Sequence, residues 1–288
     1  MAIAELFQKK STVFSFEVFP PKRTSSIDTI YSTLDQLKNL RPDFISVTYG
    51  AGGNVADQST CEIASIIQNT YHIEPLAHLT CVSSTKEEIL QNLARLKERN
   101  IRSILALRGD FSPDHPPKTD FRHASDLIAF IREQDPEFHL SAACYPEGHI
   151  ECDSLVEDVL NLKRKADAGA EHLVSQLFFD NAAFYAFLER ARIAGITQPI
   201  EAGIMPVVNK KQIERMVSMC GASLPAKFSR IMSRYENKPE ALRDAGIAYA
   251  IDQIVDLVSN GVQGIHLYTM NNPMVARRIT ESVASLFD

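Results

Sequence analysis

The stretch Ile101 to Asp110, IRSILALRGD, carries the most suggestive chemistry in the sequence. Ser103 to Leu107 is a short apolar run that reads as a buried strand, and it stops on Arg108-Gly109-Asp110, a cation and an anion joined by a flexible residue. Glycine lets the backbone approach a flat ligand closely, and the flanking charges can fix anionic groups or stabilise cationic ones. An Arg-Asp surface pair, an ordinary βα turn and a cell-adhesion tripeptide are competing readings of the same residues. Polar residues also stand at the ends of other apolar runs: Glu17, Thr48, His78, Tyr145, Gln176 and Tyr268. Taken singly, each has a structural explanation, His78 as a satisfied core histidine, Gln176 as a strand-end cap, Tyr268 as a rim aromatic. Gathered at one end of a sheet they are the makings of a site.

A second pattern lies on the segment Leu155 to Ala168. At about 100° per residue, Asp158, Asn161 and Lys165 fall within roughly 60° of one another, beside an apolar stripe of Leu155, Val159, Leu162 and Ala166. Such an edge is either a solvated face or a row of donors and acceptors for a long ligand. Other chemistry is poorly supported. GAGGN lacks the third glycine of GxGxxG, and no GKS/T, HExxH, CxxC pair or nucleophile elbow occurs. His149-x-x-Cys152 lacks two further ligands at suitable spacing, so no metal is expected.

The elements that must position these residues alternate. Strands are expected over Thr12 to Phe19, Asp43 to Tyr49, Glu74 to Cys81, Ser103 to Leu107, His139 to Pro146, Glu171 to Phe179, Pro199 to Met205 and Val262 to Tyr268. Helices are expected over residues 1 to 11, Ser26 to Leu40, Asp57 to Tyr71, Lys86 to Arg99, Ala124 to Arg132, Leu155 to Ala168, Asn181 to Ala194, Asn209 to Met219, Glu240 to Leu257 and Pro273 to Phe287, with a further helical segment before Glu240. A glycine-rich loop, Gly50 to Gly53, follows the second strand. The alternation excludes a sandwich or a helical bundle, and eight βα units in a chain of 288 residues fit an α/β (β/α)8 TIM barrel with one or two extra helices before strand eight. A doubly wound open sheet is the alternative. No linker divides the chain, so one catalytic domain over residues 1 to 288 is the simplest account.

Net charge of −6 without a long basic block argues against a nucleic-acid or anionic-membrane surface. Five scattered cysteines suit reduced thiols in the cytoplasm. The N-terminal segment does not read as a secretory signal, and no stretch offers about 18 uninterrupted apolar residues.

FEVFPP at 16 to 21, FISVTYGA at 44 to 51, AHLTC at 77 to 81, ILALRGD at 104 to 110, AACYPEGH at 142 to 149, LKRKADAGA at 162 to 170 and SQLFFD at 175 to 180 together resemble the bacterial methylenetetrahydrofolate reductase family. The resemblance runs in order from about residue 12 to residue 285. It implies a flavin-dependent barrel that takes hydride from NADH onto FAD and passes it to 5,10-methylenetetrahydrofolate, giving 5-methyltetrahydrofolate by ping-pong turnover, in a homo-oligomer, a tetramer. It implies Glu17 as the general acid, with Phe14, Phe16 and Phe19 as desolvating neighbours, and Asp110 as the fixed charge by the flavin pyrimidine and the substrate iminium. For FAD it implicates Thr48, His78, Leu107, Arg108, Gly109, Asp110, His123, Ala124, Tyr145, His149, Asp158, Asn161, Arg164 and Lys165. For the substrates it implicates Gln176, Gln212, Met216 and Tyr268.

Three positions depart from the family pattern. His123 stands where a tyrosine packs on the adenine end of FAD, Met216 where a phenylalanine covers substrate or nicotinamide, and Asn272 where an arginine follows Tyr-Thr-x-Asn. Nothing follows the barrel, so the S-adenosylmethionine-binding regulatory domain of eukaryotic members is not expected. Another flavin barrel, such as a proline dehydrogenase, and a flavin-free pterin-binding methyl-transfer barrel are the rival readings. The choice between NADH and NADPH is left open.

Overall fold

The computed structural model describes residues 2 to 21, 28 to 49, 54 to 111 and 116 to 287. The glycine-rich loop expected at Gly50 to Gly53 lies outside them, as do Ser26 and Ile27 at the expected start of the second helix. Eight strands close into a parallel barrel in sequence order: β1 (Val13–Val18), β2 (Phe44–Val47), β3 (Glu74–Thr80), β4 (Ser103–Leu107), β5 (His139–Cys144), β6 (His172–Ser175), β7 (Ile200–Ile204) and β8 (Gly264–Tyr268). The ring is completed by β8 against β1, where Ser15 pairs with His266 and Glu17 with Tyr268.

Helix α1 (Ile3–Lys9) precedes the barrel, and α2 (Asp28–Leu37), α3 (Asn54–Asn69), α4 (Lys86–Glu98), α5 (Ala124–Gln134), α6 (Leu155–Asp167) and α7 (Asn181–Ile193) follow β1 to β6 in turn. Three helices, α8 (Lys210–Cys220), α9 (Ala226–Tyr235) and α10 (Pro239–Ser259), separate β7 from β8, which is two more than the repeat requires, and α11 (Pro273–Val283) follows β8. All the expected strands and helices are present, most of them within one to three residues of their expected ends. The strand readings run longest where extended backbone continues beyond the paired segment, as at Gln176 to Phe179 after β6.

Alternation along each strand sorts side chains into two layers. On β1, Phe14, Phe16 and Val18 join the core shared with the helices, together with Ile45, Ala77, Ile104, Leu140, Leu173, Ala202 and Ile265 from the other strands. Residues of the opposite parity face the barrel axis. Inward-facing Val13, Phe44, Leu76, Leu105 and Val174 form an apolar cluster with Ile3, Leu6 and Phe7 of α1, and the Phe7 ring also packs on the His172 ring at 5.0 Å. The C-terminal end opens into a cavity.

Helix starts near this mouth are capped by local chemistry. Thr85 and Glu88 form a reciprocal capping box at α4, Ser154 caps α6 and Asn209 caps α8. Asn272 caps α11 by accepting from the Val275 amide at 3.2 Å.

Candidate active site

A cavity of about 820 Å³ occupies the C-terminal mouth, and both Glu17 and Asp110 line it. Thr48, His78, Leu107, Arg108, Gly109, Tyr145, His149, Gln176 and Tyr268 join them there. These residues come from strand ends because a parallel barrel delivers all its C-terminal tips to one face. Each tip was visible as a polar interruption of an apolar run.

Glu17 lies on the axis side of β1, its side chain 17% exposed, so a molecule in the cavity can reach the carboxyl group. Its Oε2 stands 3.4 Å from Ser46 Oγ, 3.5 Å from Nε2 of His266 and 3.6 Å from Nε2 of His78. Phe14 and Phe16, expected to desolvate it, point the other way into the helix-facing core. Strand parity forbids them from sharing a face with Glu17. Polar groups surround the carboxylate instead. Thr269 Oγ1 donates to the Glu17 carbonyl at 2.6 Å, fixing the backbone at that tip.

Burial lowers the His78 imidazole to about 4, against the opposing pull of Glu17, so the ring is neutral around pH 7. Its Nε2 is buried and has no hydrogen-bond partner among the described residues. Arg108 reaches back over the β4 tip: its guanidinium donates to both oxygens of Glu151, at 2.5 and 3.0 Å, and lies over the Phe111 ring at 4.8 Å. That carboxylate raises the Arg108 pKa further, and Arg108 in turn holds Glu151 low. Gly109 adopts φ +88°, and a Cβ there would come to 3.0 Å of Thr80 Cβ. The bare backbone is therefore required twice, by conformation and by space. Asp110 is exposed at the rim.

The α6 edge reaches the cavity indirectly. Buried Asp158 accepts from the His149 amide at 3.1 Å, and Lys165 donates to the Ala143 carbonyl at 2.7 Å while lying over the Tyr145 ring. Burial lowers the Lys165 pKa and raises that of Tyr145. The Tyr145 and His149 rings meet edge to face at 4.7 Å. Asn161 accepts from Arg164 and contacts Cys152 rather than lining the wall. His123 is exposed at the start of α5 and Ala124 is buried behind it; neither lines the cavity.

The four residues read as substrate contacts divide. Gln176 and Tyr268 line the main cavity, where the amide oxygen of Gln176 accepts from the Leu177 amide and the Tyr268 hydroxyl donates to the Ser175 carbonyl at 2.8 Å. Gln212 and Met216 line a second cavity of about 370 Å³, with Met270 and Asn272. Tyr268 and Met216 pack against the same apolar cluster, so the end of β8 stands between the two spaces. The Nε2 of Gln212 is buried without a partner among the described residues.

Ser15, Ser141, His172, Glu201 and His266 were not anticipated. They form, with Ser46, a polar layer directly beneath Glu17. The available signal was a carboxylate in the middle of the short strand PIEAGI and a histidine in the middle of GIHLY, where a barrel interior usually carries branched aliphatics.

Comparison with known proteins finds relatives over most of the chain. The 5,10-methylenetetrahydrofolate reductases of Escherichia coli and Salmonella typhimurium are each 37% identical over 270 residues, covering 93% of this chain and 90% of theirs. Methylenetetrahydrofolate reductase (NADH) 1 of Arabidopsis thaliana is 36% identical over 285 residues, 93% of this chain but 48% of that protein, so the chain spans about half the length of such eukaryotic relatives. An uncharacterized protein from Clostridium thermocellum, described as binding two copies of 5-methyl-5,6,7,8-tetrahydrofolic acid, shares the fold with a TM-score of 0.67 at 13% identity, covering 98% of this chain and 99% of its own. A sequence model for methylenetetrahydrofolate reductase matches residues 2 to 284, and with the bacterial relatives it establishes that this chain belongs to the methylenetetrahydrofolate reductase family.

Proposed function

We propose that the protein reduces 5,10-methylenetetrahydrofolate to 5-methyltetrahydrofolate, using NADH as the reductant and FAD as the bound carrier in a ping-pong cycle. The observation that carries this reading is the meeting of Glu17 and Asp110 in one cavity of a reductase-family barrel, beside the bare backbone of Gly109.

The residues present fit FAD. Gly109 offers a surface without a side chain at the β4 tip, as a flat ring system requires, and the unpartnered Nε2 of His78 lies in the same wall. When bound, FAD supplies hydride acceptance from NADH and hydride delivery to the folate carbon. Arg108, Tyr145, His149 and the residues of α6 behind them are assigned to holding it. Glu17 holds a proton on its carboxyl group and releases it to the nitrogen that leaves the methylene carbon as the five-membered ring opens. Asp110 supplies a fixed anion for the iminium cation that ring opening creates. Gln176 orients the pterin, and Gln212 and Met216, beyond the end of β8, are assigned to the distal part of the substrates. The five free cysteines support a reducing, cytoplasmic setting.

Anaerobic titration of the purified yellow protein tests the reading. NADH should bleach the flavin absorbance and methylenetetrahydrofolate should restore it; colourless protein, or bleaching that folate does not reverse, would refute it.

A further inference from the structure

Beneath Glu17 the barrel interior holds a cluster of buried polar groups. Ser15, Ser46, Ser141, His172, Glu201 and His266 are each at most 3% exposed. Ser15 Oγ lies 2.8 Å from Glu201 Oε1 and 2.6 Å from His266 Nδ1. The second ring nitrogen of His266, Nε2, lies 3.4 Å from Ser46 Oγ and 3.5 Å from Glu17 Oε2. On its other side Glu201 Oε2 stands 3.3 Å from His172 Nε2 and 3.9 Å from His266 Nδ1, and His172 Nδ1 meets Ser141 Oγ at 3.0 Å. Gly264 makes room for this arrangement, since a Cβ there would overlap Glu201 Cγ. Among the described residues no three His, Cys, Asp or Glu side chains are disposed to hold a metal ion. The contacts of Ser15 with Glu201 and His266, and of Ser141 with His172, suit shared protons, whereas Glu201 Oε2 and His172 Nε2 make no hydrogen bond among the described residues.

A carboxylate removed from water is costly unless it is paired and hydrogen-bonded, and the ionic neighbours of Glu201 are His172 and His266. Ser15 has one hydroxyl proton. With Glu201 ionised, that proton goes to the carboxylate, and the serine oxygen then accepts from Nδ1–H of His266. The tautomer is thereby fixed, and Nε2 faces Glu17. One proton can sit between them in two ways, as a Glu17 carboxylic acid donating to neutral His266 or as a Glu17 carboxylate facing an imidazolium.

We propose that Glu201 is a positioning residue which, through Ser15 and His266, retains one proton at the His266–Glu17 pair for delivery by Glu17. The proposal rests on Glu17 being the general acid. In each turnover Glu17 gives its proton to the leaving nitrogen and becomes a carboxylate, a proton from solvent restores the pair, and Glu201 stays ionised throughout.

The titratable groups facing the pair are His78 on β3, His172 on β6, Glu201 on β7 and Tyr268 on β8; β2 and β5 present Ser46 and Ser141. Burial keeps His78 neutral around pH 7, and burial raises the Tyr268 phenol so that it stays protonated. With Glu201 ionised, the exchangeable proton is thus confined to Glu17, His172 and His266.

The test is the pH dependence of reoxidation of NADH-reduced holoenzyme by methylenetetrahydrofolate, together with nitrogen NMR of the histidine rings, in wild type, Glu201→Gln, Ser15→Ala and Glu17→Gln. Loss of a nearby anion lowers the proton affinity of the pair, so the pH above which the rate falls should drop by about one unit in Glu201→Gln. The Nδ1–H signal of His266 should weaken in the same variant. Should Glu201→Gln not fold, Ser15→Ala carries the test, because it removes the bridge and leaves the Glu201–His172 pair in place. An unmoved limb with an unaltered His266 spectrum overturns the proposal while the general-acid reading stands. A Glu17→Gln enzyme reoxidised at the wild-type rate overturns both.

Discussion

Oε2 of Glu17 lies 3.5 Å from Nε2 of His266 and 3.6 Å from Nε2 of His78, so two imidazoles approach the same oxygen of the proposed acid. Both rings come from strands whose inward positions are fixed by barrel register, with Ser15 opposite His266 and His78 opposite Leu105. Glu17→Gln keeps the shape and removes the transferable proton. The expected outcome is a fall of about 10²-fold or more in folate-dependent flavin reoxidation, with flavin still bleached by NADH. Stopped-flow absorbance of the two half-reactions checks it, and loss of both halves would remove Glu17 from the acid role.

The tips that carry this prediction were legible in the sequence because an apolar strand ending in Glu17, His78 or Arg108-Gly109-Asp110 leaves a local mark. The layer beneath was not legible. Ser15 and Glu201 are 186 positions apart and meet because β7, β8 and β1 are neighbours in the closed ring, a relationship no local window contains. The surroundings of Glu17 are likewise set by the pleat and not by sequence proximity. Phe14 and Phe16 are its close sequence neighbours, yet the pleat sends them to the opposite face. Gln212 and Met216 lie on a helix after β7, and only the path of β8 determines that they line a separate space.

Asp110 stands at the cavity rim, exposed, after the positive-φ turn at Gly109. A negative charge near a flavin disfavours the anionic reduced form and so makes hydride departure easier. Asp110→Asn should raise the flavin midpoint potential and slow hydride transfer to folate about tenfold, equivalent to ~1.4 kcal/mol. Dye-equilibration measurement of the potential decides it, and an unchanged potential would contradict the role.

The buried, neutral state of His78 has a consequence for acid stability. Its folded pKa of about 4 lies below its unfolded value of 6.5. Below pH 6.5 the unfolded chain takes up a proton that the folded protein refuses, so stability is fully present above 6.5 and is lost as pH falls towards 4. The full effect is on the order of 3 kcal/mol. Urea unfolding from pH 7 to 4 should therefore show a steeper loss for wild type than for His78→Asn, and parallel curves would show that His78 does not supply the difference.

Gly109 separates binding from folding. At φ +88° an alanine is strained by about 1 to 2 kcal/mol, and its methyl group would come to 3.0 Å of Thr80 Cβ, whose side chain is anchored on β3. The backbone around it has a firm fixed point, because the Cys81 and Val82 amides both donate to the Arg108 carbonyl, at 3.1 and 2.8 Å. Relief of the contact must therefore come mainly from displacement of Gly109 and Asp110 into the cavity they line. Gly109→Ala should lower the unfolding midpoint by a few degrees and weaken FAD binding by at least tenfold, measured by flavin fluorescence on dilution of the holoenzyme. Equal FAD affinity in a destabilised variant would mean that this turn supports the fold without touching the cofactor.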